Sequence, residues 1–259
     1  MKKYYTLSAA FAAIAILASC EKDPIATTQT RTPNRVEFKQ RNISGITVGK
    51  DLPADAEAID LGLSVKWSNM NLGATTPEEF GDLYAWGEIQ PSGDYSWFTY
   101  EMNNHHADDE KTLYLTRYCF DKYGESQDLD RGGVNLDRND DAAYIHWGED
   151  WRMPTADEVK ELSDKCKWSY DSKSRTFTVE GPNGNAIKIA FQGVGIAKNV
   201  HGEPQGAIDG GIWSSTLDSH SSADAVKLML AGSSNNKFSK GVFQNNRFVG
   251  CVIRPVSTK

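Results

Sequence analysis

Between residues 51 and 259 only two segments carry the apolar period of an amphipathic helix, and this scarcity constrains the fold more than any other feature. The better one opens on Thr155-Ala156-Asp157-Glu158, a capping-box pattern in which Thr155 accepts from a free backbone N–H and Glu158 reaches back to the cap. Val159, Leu162 and Cys166 follow at i, i+3 and i+7 as one stripe, and Pro154 stops any earlier helix from running in. The second begins near Asn139, where Asp140 and Asp141 sit at the positive end of the helix dipole ahead of Ala142, Ala143 and Ile145. Elsewhere the chain breaks into short apolar runs between Gly, Asn and Asp, with no internal repeat, no sustained heptads and no βαβ alternation.

The C-terminal third reads as strands. GIWSST (211–216) follows a Gly-rich turn, and in ADAVKLML the residues Val226, Leu228 and Leu230 alternate with Lys227 and Met229, the period of a half-buried strand. KGVF and GCVIRPV follow, separated by a turn expected around Gln244 to Asn246. The fold class expected is α+β with antiparallel strands.

The first residues read as an address. Lys2 and Lys3 precede an apolar run from Ala9 to Leu17, too short for a membrane span of about 20 residues, so residues 1–19 are expected to be a secretory signal peptide. Leu17-Ala18-Ser19-Cys20 resembles the bacterial lipobox, which implies acylation of Cys20 and an outer-membrane lipoprotein held by two or more acyl chains. Glu21-Lys22-Asp23 resembles the acidic tags that carry some Bacteroidetes lipoproteins to the outer face, and reads equally as ordinary linker charge. Residues 20–50, rich in Thr, Gln, Arg and Pro, read as a flexible tether of net charge +3, with short strand-like pieces at Val36-Glu37-Phe38 and Ile43 to Val48. The whole sequence carries −7, and residues 51–259 carry −12. That charge repels phosphate backbones and argues against nucleic acid as a partner. The same span is long enough for one domain with a core of its own.

Four ordered motifs then carry a resemblance. IDLGLSVKWSNMNLGATTPEEFGDLYAWGE (59–88), DDAAYIHWGEDWRMPTADEVKEL (140–162), IWSST (212–216) and VIRPV (252–256) resemble the Fibrobacter succinogenes major paralogous domain, common in secreted and lipid-anchored proteins of Bacteroidetes. The resemblance implies a C-type-lectin-like fold of short antiparallel strands, two helices and long loops over 51–259, distantly like formylglycine-generating enzymes. It implies no known reaction. Under it Trp147, Trp151, Arg152, Thr155, Glu158, Trp213 and Arg254 are framework that fixes a helix against the sheet. The related enzymes bind copper through a cysteine pair near the C-terminus, where this chain has Cys251 alone.

Other constellations are weaker. Cys119, Cys166 and Cys251 allow one disulfide in three pairings, or none. Adjacent histidines in NNHHADDE (103–110) point apart in an extended loop and read as solvated rather than as a zinc site. DLDRGGVNLDRNDD (128–141) fails the EF-hand pattern at Gly132 and Asn139, so no cofactor is expected, with calcium at a different loop-built site as the alternative. Ser214, Ser215, Asp218 and His220 lack a nucleophile elbow. Trp67, Trp86, Trp147, Trp151 and Trp213 are expected in the core. Trp97, with Tyr95, Phe98 and Tyr100, lies in a polar loop whose rings either fold back over the core, the reading slightly favoured, or stack on sugars or on a protein partner.

With no convergent nucleophile, base or metal set, a lipid-anchored binding or adhesion module is favoured over a cell-envelope enzyme of unassigned chemistry, and a fibre subunit is the third reading. Ligand contact is expected on the loops 93–109 and 195–211, through Tyr95, Trp97, Tyr100, Asn103, Asn104 and Asn199, with a glycan or a protein as partner.

Overall fold

A computed structural model describes residues 40–104, 113–123, 129, 131–190, 195–198, 204–208 and 210–259. In chain order they form β1 (Ala58–Ile59), β2 (Lys66–Ser68), a 3-10 turn (Arg138–Asp140), α1 (Ala142–Trp147) and α2 (Ala156–Lys165). The strands β3 (Lys167–Asp171), β4 (Thr176–Glu180), β5 (Ala186–Ala190), β6 (Gly195–Lys198) and β7 (Pro204–Ile208) follow. The chain ends with β8 (Gly211–Leu217), β9 (Asp224–Gly232), β10 (Phe238–Asn246) and β11 (Val256–Ser257). Small antiparallel sheets in the orders β1-β2-β11, β3-β4-β5 and β10-β9-β8, with the pair β6-β7, make the fold α+β and mostly strands.

The helices follow their local chemistry. Thr155 Oγ1 accepts from the Glu158 N–H while the Glu158 carboxylate accepts from the Thr155 N–H, closing the capping box, and Val159 and Leu162 point into the core. Asp141 caps α1 by accepting from the Tyr144 N–H. Asp140 has a different role from the dipole partner expected of it. It is buried, with its carboxylate bound to Arg41, Arg117 and the Tyr118 hydroxyl.

The sheet β10-β9-β8 separates two cores. Ile212, Leu228 and Leu230 pack with α2 and with Phe177, Val179 and Ile189 of β4 and β5. Trp213, Leu217 and Ala225 face the other way, among Trp86, Tyr118, Trp147 and Trp151. Both faces being covered corrects the simple alternation expected of β9: Val226 is only half-buried, whereas Lys227 is 3% exposed opposite Trp213. A register shift between Trp213 and Leu217 lets β8 serve this arrangement.

Three further expectations change. Gln244 to Asn246 are the end of β10 rather than a turn, because pairing with β9 continues to Asn246↔Asp224, where the Asn246 amide donates to the Asp224 carboxylate. The turn falls at Arg247 to Val249. The run Gly250 to Val256 is a strand only at its end, since Cys251 and Val252 make single bridges to Tyr84 and Ile212 and Pro255 has no N–H to donate. The expected loop 195–211 is largely the antiparallel pair β6-β7.

Residues 40–50, assigned from composition to the tether, lie on the domain. The Gly49 and Asp51 N–H groups donate to the last carbonyls of α1 at Ile145 and His146, and the Asn139 amide donates to the Arg41 carbonyl. Ile43 to Val48 form turns, while Val36-Glu37-Phe38 and Cys20 lie outside the described residues.

Candidate functional site

The loop from Pro91 to Asn104 is built from the inside outwards. Ser96 and Thr99 exchange side-chain and backbone hydrogen bonds, and the Tyr100 N–H donates to the Ser96 carbonyl, so the middle of the loop is one tight turn. The rings on either side of that turn are anchors. Tyr95 donates its hydroxyl to the Leu83 carbonyl at 2.5 Å, and its ring lies on Gly250, where any Cβ would meet Tyr95 Cε2 at 2.7 Å. Tyr100 is fully buried, donating to the Trp86 carbonyl at 2.8 Å and accepting from Arg247 Nε at 2.9 Å. Burial pushes both phenols well above their ordinary range. This corrects the expectation that Tyr95 and Tyr100 contact a ligand: a large ring with a satisfied hydroxyl is a core residue that the polar neighbouring sequence disguised.

Between the anchors Phe98 faces solvent, while Trp97 packs partly against the core. Trp97 is half-buried, edge-on to Phe248 at 4.8 Å and to Tyr100 at 5.7 Å between ring centroids. Phe98 is 40% exposed. Asn103 is half-buried, its amide donating to the Trp97 carbonyl and its oxygen accepting from the Tyr114 N–H, so it holds the loop in place. Asn104 is exposed at the rim, and Asn199 lies outside the described residues.

Beneath this surface Arg247 forms a cage that sequence reading missed. Its guanidinium lies over the rings of Trp86 and Tyr100 at 4.8 and 5.3 Å, and donates to the carbonyls of Arg117, Tyr118 and Ser222. Carbonyl dipoles and ring faces together hold a buried cation among neutral groups. Nothing in NNRFVG distinguishes this arginine from a surface one. Nearby, Arg41 binds Asp140, Glu101 and the Gly87 carbonyl. Burial raises the Glu88 carboxyl to about 7 against the Glu101 N–H that favours its charged form, with the Glu101 charge adding to the rise.

Of the framework residues, Trp147, Trp151, Trp213 and Arg254 are buried, and Arg152, Thr155 and Glu158 are half-buried. Trp147 and Trp151 meet edge to face at 5.2 Å, and Trp213 donates its indole N–H to the Tyr84 carbonyl. Arg152 clasps the Glu158 carboxylate with both terminal nitrogens. Burial alone would raise the Glu158 carboxyl, yet this fork and the Thr155 N–H hold it below the ordinary range. Arg254 is fully buried, donating to Asn71 Oδ1 and the Lys188 carbonyl, and burial lowers its guanidinium to about 9.

Reactive groups do not converge among the described residues. Ser214 Oγ donates to the Val226 carbonyl rather than meeting His220, which is exposed beside Ser219 and Asp218. Cys119, Cys166 and Cys251 are buried and form no disulfide among the described residues, and Cys119 Sγ lies against the Asp121 carbonyl. No group of three or more His, Cys, Asp or Glu side chains suits a metal ion among the described residues, and His105 to Glu110 lie outside them.

These features define an α+β domain presenting an aromatic surface over an aromatic and cationic interior. Compared with known family models, with characterised proteins and with solved structures, the chain matches none.

Proposed function

We propose that the chain is a lipid-anchored envelope protein that presents a C-type-lectin-like binding domain of the Fibrobacter succinogenes major paralogous type to a glycan or a protein. The observation that carries this reading is the construction of the 91–104 loop. Two buried tyrosines with satisfied hydroxyls fix its flanks, which leaves the exposed ring of Phe98 beside the half-buried ring of Trp97. A pre-fixed aromatic platform loses little entropy on binding, and such rings dominate interfaces of this kind. The −12 carried by residues 51–259 favours a neutral or basic ligand over a polyanionic glycan. Lipidation at Cys20 supplies the anchor to the outer membrane.

A glycan array and a pull-down from envelope fractions identify the ligand. The double variant Trp97→Ala/Phe98→Ala then binds at least tenfold more weakly, about 1.4 kcal/mol, with its circular dichroism unchanged. Undiminished affinity removes this loop from the site. Cys20→Ser abolishes lipid labelling and detergent partitioning while the domain stays folded. An unlabelled wild type refutes the anchor.

A further inference from the structure

We propose that β10 is the interface of a two-fold dimer, in which it pairs antiparallel with β10 of a second copy about Val242. All nine residues of β10 are in unbroken register with β9. The Leu230 N–H donates to Gly210 on the β8 side, so the alternation of an antiparallel ladder turns the backbone groups of Lys240, Val242 and Gln244 away from β9. Among the described residues no backbone group meets them. The far edge of the same sheet is closed, since the N–H groups of Trp213, Ser215 and Leu217 donate to Val252, Pro154 and Val134. Among the described residues the sheet therefore has one open edge.

That edge lacks the guards that open edges carry. It has no proline, no bulge and a single charge. The charge does not protect it, because Lys240 turns its ammonium onto the Ser163 carbonyl at the end of α2 and over the Trp168 ring.

Symmetry selects a second copy as the occupant. A two-fold axis at Val242 sets Lys240 opposite Gln244 and Gly241 opposite Phe243, so every outward N–H and C=O finds a partner. The two lysines stand ~13 Å apart along the ladder and do not oppose each other. Phe243 is 49% exposed and its ring lies across Gly241 of its own strand, where a Cβ would meet Phe243 Cε2 at 2.5 Å. Glycine thus leaves a flat place on the edge for the ring of either copy. An interface of one strand pair is small, so the dimer is a weak one.

Sedimentation velocity on the full chain with Cys20→Ser, from about 1 to 500 µM, tests this without lipid-driven association. The expected result is a concentration-dependent dimer. Gln244→Pro, at an exposed position whose N–H points away from β9, removes a pairing donor from each copy and sets a proline on the open edge, and it weakens dimerisation at least tenfold with circular dichroism unchanged. A parent that stays monomeric throughout, or a Gln244→Pro variant that dimerises as tightly as the parent, overturns the proposal. A dimer that forms only with a foreign extended peptide added overturns the choice of occupant.

Discussion

Tyr100 and Trp97 stand three residues apart in one polar loop and do different things. The Tyr100 hydroxyl bridges the Trp86 carbonyl and Arg247 Nε in the interior, so Tyr100→Phe leaves a buried charged donor short of an acceptor and costs about 1.5–3 kcal/mol. Trp97→Ala removes a half-exposed ring, and in urea melts it should lose less than Tyr100→Ala. The sequence pattern SGDYSWFTYE does not separate the two, because burial here depends on Arg247 and Trp86, far away in the chain. Glu88 has the second residue-scale consequence. Its folded carboxyl holds a proton up to about 7 against 4.5 for an ordinary glutamate, so its contribution is fully present below about pH 4.5 and is lost as pH rises through 7. Wild type therefore loses on the order of 1–3 kcal/mol relative to Glu88→Gln between pH 5 and 8, read from urea midpoints at both values. Asp141, raised to about 6 by burial, falls in the same direction in both proteins and cancels in the comparison.

Among the elements, α2 was the most legible because its signals are local. Thr155 and Glu158 cap each other within one turn, and the stripe of Val159 and Leu162 needs only the helical period. Thr155→Ala should cost about 1 kcal/mol. Glu158→Ala should cost more, about 2–3 kcal/mol, since it also strands the Arg152 fork, and thermal melts rank the two. The strands were legible where one face meets solvent and illegible where both are covered. Lys227 marked the polar side of β9 in the sequence, yet it is buried because a second core lies on that side. The end of β10 reads as a turn by its asparagines, and only the partner residue Asp224 explains why Asn246 remains in the ladder. In the candidate loop, the sequence shows the aromatic residues but does not sort the inner rings from the outer ones.

At the scale of the whole molecule the first surprise is where the domain begins. Arg41 reaches the buried Asp140 carboxylate, so a chain starting at residue 51 leaves that charge to Arg117 and the Tyr118 hydroxyl alone. Such a chain should be about 2–4 kcal/mol less stable than one starting at residue 40, and Arg41→Ala should reproduce much of the loss in denaturant titrations. Composition could not reveal this, because an arginine in a polar linker looks solvated until its carboxylate is placed. The two cores share a wall: Ile212 and Trp213 are neighbours in β8 and enter opposite clusters. Cys166 belongs to one of these and Cys119 and Cys251 to the other, all as buried thiols. Each core therefore carries its own chemical reporter of opening. If the shared wall makes the cores open together, pulsed alkylation in mild urea, read peptide by peptide in a mass spectrometer, gives Cys166 and Cys251 one common labelling rate. Two separate rates would show that the wall holds while one side breathes. The native cysteines thus let the cooperativity of this fold be timed without an added probe.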